Sequence, residues 1–314
     1  MWIKIRKIII DTDIGDDIDD ALAVVLAMKS PEIDLIGITT VYKNTKLRTQ
    51  LALKLLEMYG RRGIPVAAGS GMPLLNKADC SSIPCQLEAV KEQLQDNCSL
   101  DAADFIIDKV KNNEDITIVT VGALTNVAQA ITKEPEVMKR AKLVVMGGII
   151  SNPFPEGNIN TDPEAAKIVF DSGIHITMVG LDVTLKCSID SNQVRAIDGV
   201  SDIRLQFLSK LIKLWKTKYL APILKNWGTD IDENNFDTSI PLHDPLAVGF
   251  LINESLFKTK KAKILIETKG EYTRGVTVDS INVFTGQPNG YNADVCIDVD
   301  SERFVELFMN RILN

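Results

Sequence analysis

Six aspartates fall within ten residues near the beginning of the chain, in the sequence DTDIGDDIDD. Two or three have a structural explanation, because a helix N-terminus favours negative charge and a carboxylate can cap it. Six exceed that need, since two carboxylates ~4 Å apart repel by about 4 kcal/mol at an effective dielectric constant of about 20. We therefore favour a metal site over a capped, solvated helix start, and ligands that are all oxygens favour Ca²⁺ or Mg²⁺. The six are Asp11, Asp13, Asp16, Asp17, Asp19 and Asp20.

Two apolar segments must position this acidic stretch. Three isoleucines at residues 8–10 predict the end of a buried parallel strand, and residues 21–28 predict the apolar face of a helix. Further strands are predicted to follow in the same rhythm, and together they cover residues 3–10, 35–40, 64–68, 116–121, 143–146, 174–179, 262–268, 276–284 and 295–299.

Helical patterns separate these strands. The first predicted helix ends at residue 28. The others cover residues 45–59, 102–111, 126–132, 162–170, 202–226 and a segment that begins at Ser301. Pro222 is expected to kink or split the long one, and residues 69–101 are expected to form a loop with some helix near residues 86–95. The alternation predicts an α/β fold in one domain, residues 1–314, with a mainly parallel, doubly wound sheet flanked by helices.

Composition narrows the class of protein. The 314 residues are 45% hydrophobic and 25% charged, as in an ordinary globular protein. The net charge of −7, with KTKKAK at residues 258–263 as the longest basic run, disfavours nucleic acid as a partner. Five cysteines without a C-x-x-C pair predict a reduced, cytoplasmic protein. Neither an export signal nor a run of apolar residues that could anchor the chain in a membrane is apparent.

Polar residues follow several predicted strands at their carboxyl ends, where open α/β sheets build their sites. They are Asp11, Asp13, Asn44, Gly122, Gly147, Gly148, Glu156, Gly157, Asn158 and Asp182. His243 and Asp244 precede Pro245, so Asp244 could simply cap a helix. The second histidine, His175, lies inside a predicted strand and is expected to be structural.

Seven sequence blocks in order resemble the inosine–uridine-type nucleoside hydrolase family, and the resemblance covers nearly the whole chain. The blocks are DTDIGDDIDDALA, ITTVYKN, VGALTNVA, VVMGG, EGNINTDPEAA, MVGLDVT and HDPLAV. The resemblance implies a parallel α/β fold with one Ca²⁺ at the strand ends, and an enzyme that hydrolyses the N-glycosidic bond of small-molecule ribonucleosides to ribose and free base. It also implies purine or pyrimidine salvage and a homo-oligomer, dimer or tetramer.

The resemblance also implies residue roles. The metal ligands would be Asp13, Asp20, Asp244 and the backbone carbonyl of Val121, and the substrate would contact Asp19, Asn44, Asn152, Glu156 and Asn158. Asp13 would take a proton from a Ca²⁺-bound water that attacks C1′ of an oxocarbenium-like sugar. His243 would protonate or polarise the departing base. Asp162 is expected to start a helix.

Three departures from the family pattern leave alternatives open. The acidic turn is two residues longer, so Asp17 could replace or join Asp20 as a ligand. The family's histidine- and glycine-containing loop is not apparent in residues 69–101. The segment of residues 149–157 is also short for the family, with Gly157 where an aromatic residue is usual. The preferred base therefore stays open. Two rival functions are a haloacid-dehalogenase-like phosphatase that uses Asp11 and Asp13, and a non-catalytic ribose-binding relative.

Overall fold

A computed structural model describes residues 4–232, 236–281, 286 and 290–314. Its centre is an eight-stranded sheet in the order β3-β2-β1-β4-β5-β6-β12-β9. The first seven strands are parallel, and the edge strand β9 is antiparallel to β12. The strands are β1 (Arg6–Thr12), β2 (Ile33–Thr40), β3 (Val66–Ala68), β4 (Thr117–Thr120), β5 (Lys142–Met146), β6 (His175–Val179), β9 (Phe257–Ala262) and β12 (Ala293–Val299). Two short antiparallel pairs accompany it: β7 (Ser188–Ile189) with β8 (Ile240–Pro241), and β10 (Ile264–Ile266) with β11 (Thr277–Asp279).

Helices cover both faces of the sheet, which confirms the predicted fold class. The longer helices are α1 (Asp19–Lys29), α2 (Thr45–Met58), α3 (Ala102–Asn112), α4 (Thr125–Lys133), α7 (Pro163–Asp171), α9 (Ser191–Asp198), α10 (Ile203–Leu214), α12 (His243–Ile252) and α13 (Ser301–Leu313). The shorter ones are α5 (Pro135–Met138), α6 (Gly157–Thr161), α8 (Leu181–Thr184) and α11 (Ala221–Asn226). None of the helices in the described residues is long and apolar enough to cross a bilayer.

The three isoleucines of β1 explain why this strand lies at the centre. All are fully buried, with Ile8 and Ile10 in the core under α1, α2 and α12, and Ile9 in the core under α3, α4 and α7. Successive residues of a strand point to opposite faces, so a strand buried on both faces must be apolar throughout. The sequence pattern predicted β1 for this reason.

Some predicted elements differ from the structure. Strand β9 was missed, because its sequence FKTKKA is mostly charged, as suits an exposed sheet edge. The predicted strand at 276–284 is short, and residues 282–285 lie outside the described part of the chain. The helix expected near residues 86–95 is a 3₁₀ turn, Cys85–Ala89. Helices α5 and α6 were not predicted either.

The helical stretch at residues 202–226 contains a wider, π-helical turn just before Pro222, where a kink or break was expected. Helix α10 continues into a π-helical turn, Trp215–Leu220, and then into α11. Proline has no N–H to donate to the carbonyl four residues earlier, so the turn before Pro222 must find another hydrogen-bonding pattern. π-Turns of this kind occur often at functional sites, and this one brings Tyr219 to the cleft described below.

Many hydrogen bonds attach the loop of residues 69–101 to the rest of the fold, among them four attachments at Leu74, Leu94, Asn97 and the 3₁₀ turn. The amide of Leu74 donates to Asp162 (2.8 Å), and the amide of Leu94 donates to the side chain of Gln50 (2.6 Å). The Asn97 side chain bonds the backbone at Ile64 and Val66, beside the short strand β3. The fourth attachment is the 3₁₀ turn, which contacts the turn after β1.

Candidate functional site

The strand order reverses between β1 and β4, and a cleft of about 330 Å³ lies at the carboxyl ends of these strands. Ligands of open α/β sheets bind at such a reversal, because the connections leave in opposite directions and open a crevice. The acidic turn (residues 13–18) follows β1 there, and Val121 follows β4. The lining residues are Asp13, Asp16, Asp17, Asp19, Asp20, Tyr42, Lys43, Arg48, Val121, Met146, Glu156, Gly157, Asn158, Thr161, Leu181, Tyr219, His243 and Asp244.

Three carboxylates form the centre of this cleft. Asp19, Asp20 and Asp244 present oxygens that lie within 4.8 Å of one another, and each residue is at most 6% exposed. The first two lie in the first turn of α1 and the third in the first turn of α12. Burial, followed by the charges of neighbouring aspartates, raises the pKa of all three well above the usual value. The cluster therefore needs protons or a cation.

Asp13 lies beside this cluster at the end of β1 and is half-buried. Burial raises its pKa, while the positive charge of Arg48 opposes that rise. Gly122, which follows β4, permits the close approach of the two strand ends: a Cβ atom there would lie 2.8 Å from Oδ1 of Asp13. The two strands thus bring Asp13, predicted from its strand-end position, and Val121, implied by the family resemblance, to one cleft.

Arg48 of α2 holds the acidic turn from below and is only 1% exposed. Its Nη1 donates to the carbonyls of Asp13 and Ile14 (2.8 Å for Ile14), and its Nη2 donates to Oδ2 of Asp16 (3.0 Å). Its Nε donates to the carbonyl of Tyr42 (2.8 Å), in the loop after β2. Asp16 is therefore paired with a cation of the protein.

The 3₁₀ turn holds the remaining backbone of the acidic turn. The Gln86 amide donates to the carbonyl of Gly15 (2.9 Å), and its side-chain Nε2 donates to the carbonyls of Asp16 (3.1 Å) and Asp17 (2.5 Å). The Cys85 amide donates to Oδ1 of Asp16 (3.3 Å). The loop of residues 69–101 therefore contacts the acidic turn through both its backbone and its side chains.

Glu156 and Asn158 lie on the opposite wall, at the start of α6. The Glu156 carboxylate accepts the amides of Gly148 (2.9 Å), Asn158 (2.8 Å) and Ile159 (3.1 Å). Burial raises the pKa of Glu156, and these amides oppose the rise. The Asn158 side chain donates to the carbonyls of Val121 (3.1 Å) and Met146 (3.2 Å). Asn158 therefore fixes the orientation of the Val121 carbonyl.

Asn44 and Asn152 are not among the residues that line the cleft, although Asn44 directly follows Lys43, which does. Asn44 caps α2, where its Oδ1 accepts the amide of Leu47 (3.3 Å), and Asn152 is exposed. Immediately before Asn44, Tyr42 and Lys43 adopt left-handed backbone angles (φ 64° and 58°), which are uncommon for residues other than glycine. The substrate-binding roles of Asn44 and Asn152 stay predictions.

His243 is the first residue of α12, after the short pair of β7 and β8. Its Nδ1 lies 2.8 Å from the hydroxyl of Thr184. Burial lowers the pKa of His243 to about 4, so the imidazole is neutral near pH 7. The neutral ring can polarise a leaving base by hydrogen bonding. At that pH it is not protonated, so it does not hold the extra proton of a general acid.

Two other aspartates have structural partners. Asp162 caps α7 and also accepts the Thr125 hydroxyl (2.6 Å), as predicted for a helix start. Asp11 is fully buried and accepts the Thr39 hydroxyl (2.6 Å) and the Asn126 amide (2.7 Å), and burial raises its pKa to about 7. Because Asp11 does not line the cleft, the arrangement disfavours a phosphatase that uses Asp11 and Asp13 together.

Sequence reasoning missed Arg48, Gln86 and Tyr219. Arg48 carried a usable signal, since it shares a helical stripe with the buried Leu51, Ala52 and Leu55, where a charged residue is unexpected. The π-turn places Tyr219 near the aspartates of the acidic turn. Burial and these aspartates raise the pKa of Tyr219. No local pattern predicted which face of the widened turn would carry it.

Known proteins resemble the chain over nearly its whole length. The profile of the inosine-uridine preferring nucleoside hydrolase family matches residues 8–306. The pyrimidine-specific ribonucleoside hydrolase RihA of Escherichia coli is 36% identical over 97% of each chain. Among solved structures, a plant nucleoside hydrolase is 30% identical, with a TM-score of 0.82 over 98% of this chain and 99% of the other. A purine-preferring ribonucleoside hydrolase from Gardnerella vaginalis is 29% identical, with a TM-score of 0.80 over 98% of each chain.

Proposed function

Because the chain belongs to the inosine-uridine preferring nucleoside hydrolase family and is an enzyme that cleaves N-glycosidic bonds of nucleosides, we propose that it hydrolyses ribonucleosides with Ca²⁺ as cofactor. The observation that carries the proposal is the cluster of Asp19, Asp20 and Asp244 at the reversal of the strand order. Three buried carboxylates so close together fit a hard divalent cation, which takes six to eight oxygen ligands.

The proposed ligands are Asp13, Asp20, Asp244 and the Val121 carbonyl. A carbonyl oxygen has two lone pairs, so the hydrogen bond from Asn158 leaves one for a cation. Asp19, which belongs to the same cluster, would contact the ribose hydroxyls. When bound, Ca²⁺ would neutralise these carboxylates and polarise water. Asp20, and not Asp17, presents an oxygen within 4.8 Å of those of Asp19 and Asp244, which supports Asp20 as the ligand.

Asp13 is the proposed general base. Its carboxylate would take the proton of the attacking water, a contribution typically worth about 10²–10⁴-fold in rate. Arg48 holds the Asp13 backbone, and its charge keeps the carboxylate more acidic than burial alone would allow. Glu156 and Asn158 would position the sugar from the opposite wall, with Asn44 and Asn152 as further contacts.

The departing base would meet a mixed surface. Met146, Leu181 and Tyr219 offer apolar and aromatic contacts in the cleft, and His243 offers a hydrogen bond from a neutral ring. Most polar groups lie where the ribose would bind, so we expect strict recognition of ribose and looser recognition of the base. The relatives include pyrimidine-specific and purine-preferring enzymes at comparable identity, and do not choose between them.

A nucleoside panel tests the proposal. The purified protein, first dialysed against chelator, is assayed for free ribose and free base with and without added Ca²⁺. We expect release of both products from ribonucleosides, dependent on Ca²⁺, and none from 2′-deoxyribonucleosides at comparable concentration. Turnover that survives excess chelator would contradict the role of the cation. Ribose binding without base release would favour a binding protein, and phosphate release from p-nitrophenyl phosphate would favour a phosphatase.

A further inference from the structure

All five backbone carbonyls of residues 13–17 are occupied by hydrogen bonds from outside the acidic turn. Arg48 takes the carbonyls of Asp13 and Ile14, and Gln86 takes the next three with its amide and its side chain. Cation-binding loops commonly use backbone carbonyls as ligands, so an unrestrained turn of this kind would offer a cation both carbonyls and carboxylates. Here each of these carbonyls already accepts a hydrogen bond that holds the backbone in place, and Asp13, Asp16 and Asp17 of the turn line the cleft.

The turn is also packed against the segment that carries Gln86. Gly15 has a left-handed backbone (φ 130°), and a Cβ atom there would lie 2.6 Å from Pro84. It would also approach Nη1 of Arg48, at 3.5 Å. The path of the acidic turn is therefore determined by contacts with two separate segments, α2 and the loop of residues 69–101.

Neither polar side chain is explained by stability alone. Arg48 is 1% exposed and has one carboxylate partner, and a buried ion pair is often no more stable than an apolar residue of similar size. Gln86 is fully buried, and its Oε1 has no hydrogen-bond partner among the described residues. An unpartnered buried oxygen is unfavourable, so the donating nitrogen is the part of Gln86 that the fold uses.

We infer that Arg48 and Gln86 are positioning residues for the cation: by holding the backbone of the acidic turn, they direct the carboxylates of Asp13 and Asp20 into the cleft. The inference rests on the proposed function. Outer partners of this kind act through orientation, and their loss commonly costs about 10–100-fold in metal affinity or activity. It also gives residues 69–101 a role at the metal site that the sequence did not indicate.

Gln86→Ala and Gln50→Ala form a matched test in the full-length protein. Gln86 belongs to the loop of residues 69–101 and binds the acidic turn, whereas Gln50 of α2 binds that loop at Leu94 and Asp96, away from the acidic turn. We expect Gln86→Ala to raise the dissociation constant for Ca²⁺, measured by calorimetric titration, by about tenfold or more and to lower kcat by a similar factor. Gln50→Ala should leave both within about threefold of wild type, even at an equal loss of melting temperature.

Arg48→Lys and Arg48→Gln test the second residue. Lysine keeps the charge but lacks the fork that reaches four acceptors, so we expect weaker Ca²⁺ binding by about tenfold or more and a lower kcat with a smaller change in KM. Arg311→Gln is the control, because Arg311 of α13 forms an ion pair with Glu32 (2.8 Å), just before β2. If Arg48→Gln does not fold, the positioning role is tested with Arg48→Lys and with Gln86→Ala against its control Gln50→Ala.

The outcomes separate the two proposals. Wild-type protein that binds Ca²⁺ but releases no ribose would refute the proposed function, and the titrations would still measure positioning. Wild-type protein that hydrolyses nucleosides while the Arg48 and Gln86 variants match their controls in Ca²⁺ affinity and kcat would overturn the positioning role. Failure of the wild type to bind Ca²⁺ would overturn the inference together with the proposed cofactor.

Discussion

The two ends of the central sheet carry charged residues in opposite ways. At the amino end, opposite charges pair at the surface: Lys4 and Lys142 with Asp115, and Arg6 with Glu254. At the carboxyl end, Asp19, Asp20 and Asp244 are buried together, and Arg48 forms an ion pair with their neighbour Asp16.

The difference separates charges that need no ligand from charges that require one. Pairing lowers the pKa of Asp115, chiefly through the hydrogen bond from Lys142, whereas burial and like charges raise the pKa of Asp19, Asp20 and Asp244. Surface pairs usually contribute little to stability. Buried like charges persist only where a proton or cation compensates them, which is why they indicate a binding site.

The largest expected effect comes from Asp13→Asn at the carboxyl end. Asparagine keeps an oxygen for the cation but cannot accept a proton, so kcat should fall about 10²–10⁴-fold, with a much smaller change in KM. Steady-state kinetics on the best nucleoside measure this. Asp115→Asn, at the amino end, should leave kcat unchanged. An Asp13→Asn enzyme with more than about a tenth of wild-type kcat would count against the base.

His243→Ala should separate substrates by their leaving groups. A neutral imidazole can donate one hydrogen bond to a departing base, and it does so from Nε2 only if the Thr184 hydroxyl donates to Nδ1. We expect hydrolysis of inosine to slow far more than tenfold, while p-nitrophenyl riboside stays within about tenfold, a ~1.4 kcal/mol allowance. Equal slowing of both substrates would mean that His243 shapes the cleft.

Melting temperature against pH should report the buried cluster directly. The raised pKa values mean that the folded, cation-free protein binds protons more tightly than the unfolded chain. The contribution of the cluster to stability is therefore greatest below about pH 4, the pKa of an unfolded aspartate, and declines as pH rises through the raised values. Added Ca²⁺ should oppose that decline, so the shift caused by Ca²⁺ should grow with pH. A shift that is constant from pH 5 to about pH 8 would contradict this reasoning.

The smallest effect is expected at the amino end. Lys142→Met removes the nearer partner of Asp115, and exposed pairs contribute about 0–1 kcal/mol. We expect a change of stability within about 0.5 kcal/mol, measured by urea unfolding, and unchanged kcat and Ca²⁺ affinity. A loss comparable to that of an Arg48 variant would erase the contrast between the two ends.

Local patterns predicted the sheet well but not the parts that depend on distant contacts. The isoleucines of β1 and the cap at Asp162 could be inferred, because burial and capping follow from neighbouring residues. The edge strand β9 could not, since its stability comes from pairing with β12. At the site, Asp13 could be placed from its strand-end position, whereas the roles of Asp19, Asp20 and Asp244, which line the same cleft, came from the resemblance to the family. Arg48 and Gln86 act through backbone atoms of another segment, and no spacing in the sequence encodes those contacts.

The loop of residues 69–101 limits how the enzyme could be redesigned. Exchanging this loop with that of a relative would be a natural way to seek a new base preference. Such a graft would remove Gln86 and Pro84 from the acidic turn, so a change of specificity would arrive together with a weaker cofactor site. Tyr219, on the π-turn, lines the cleft and takes part in neither of those contacts. A change of base preference through Tyr219 should therefore weaken the cofactor site less than a change of the loop of residues 69–101.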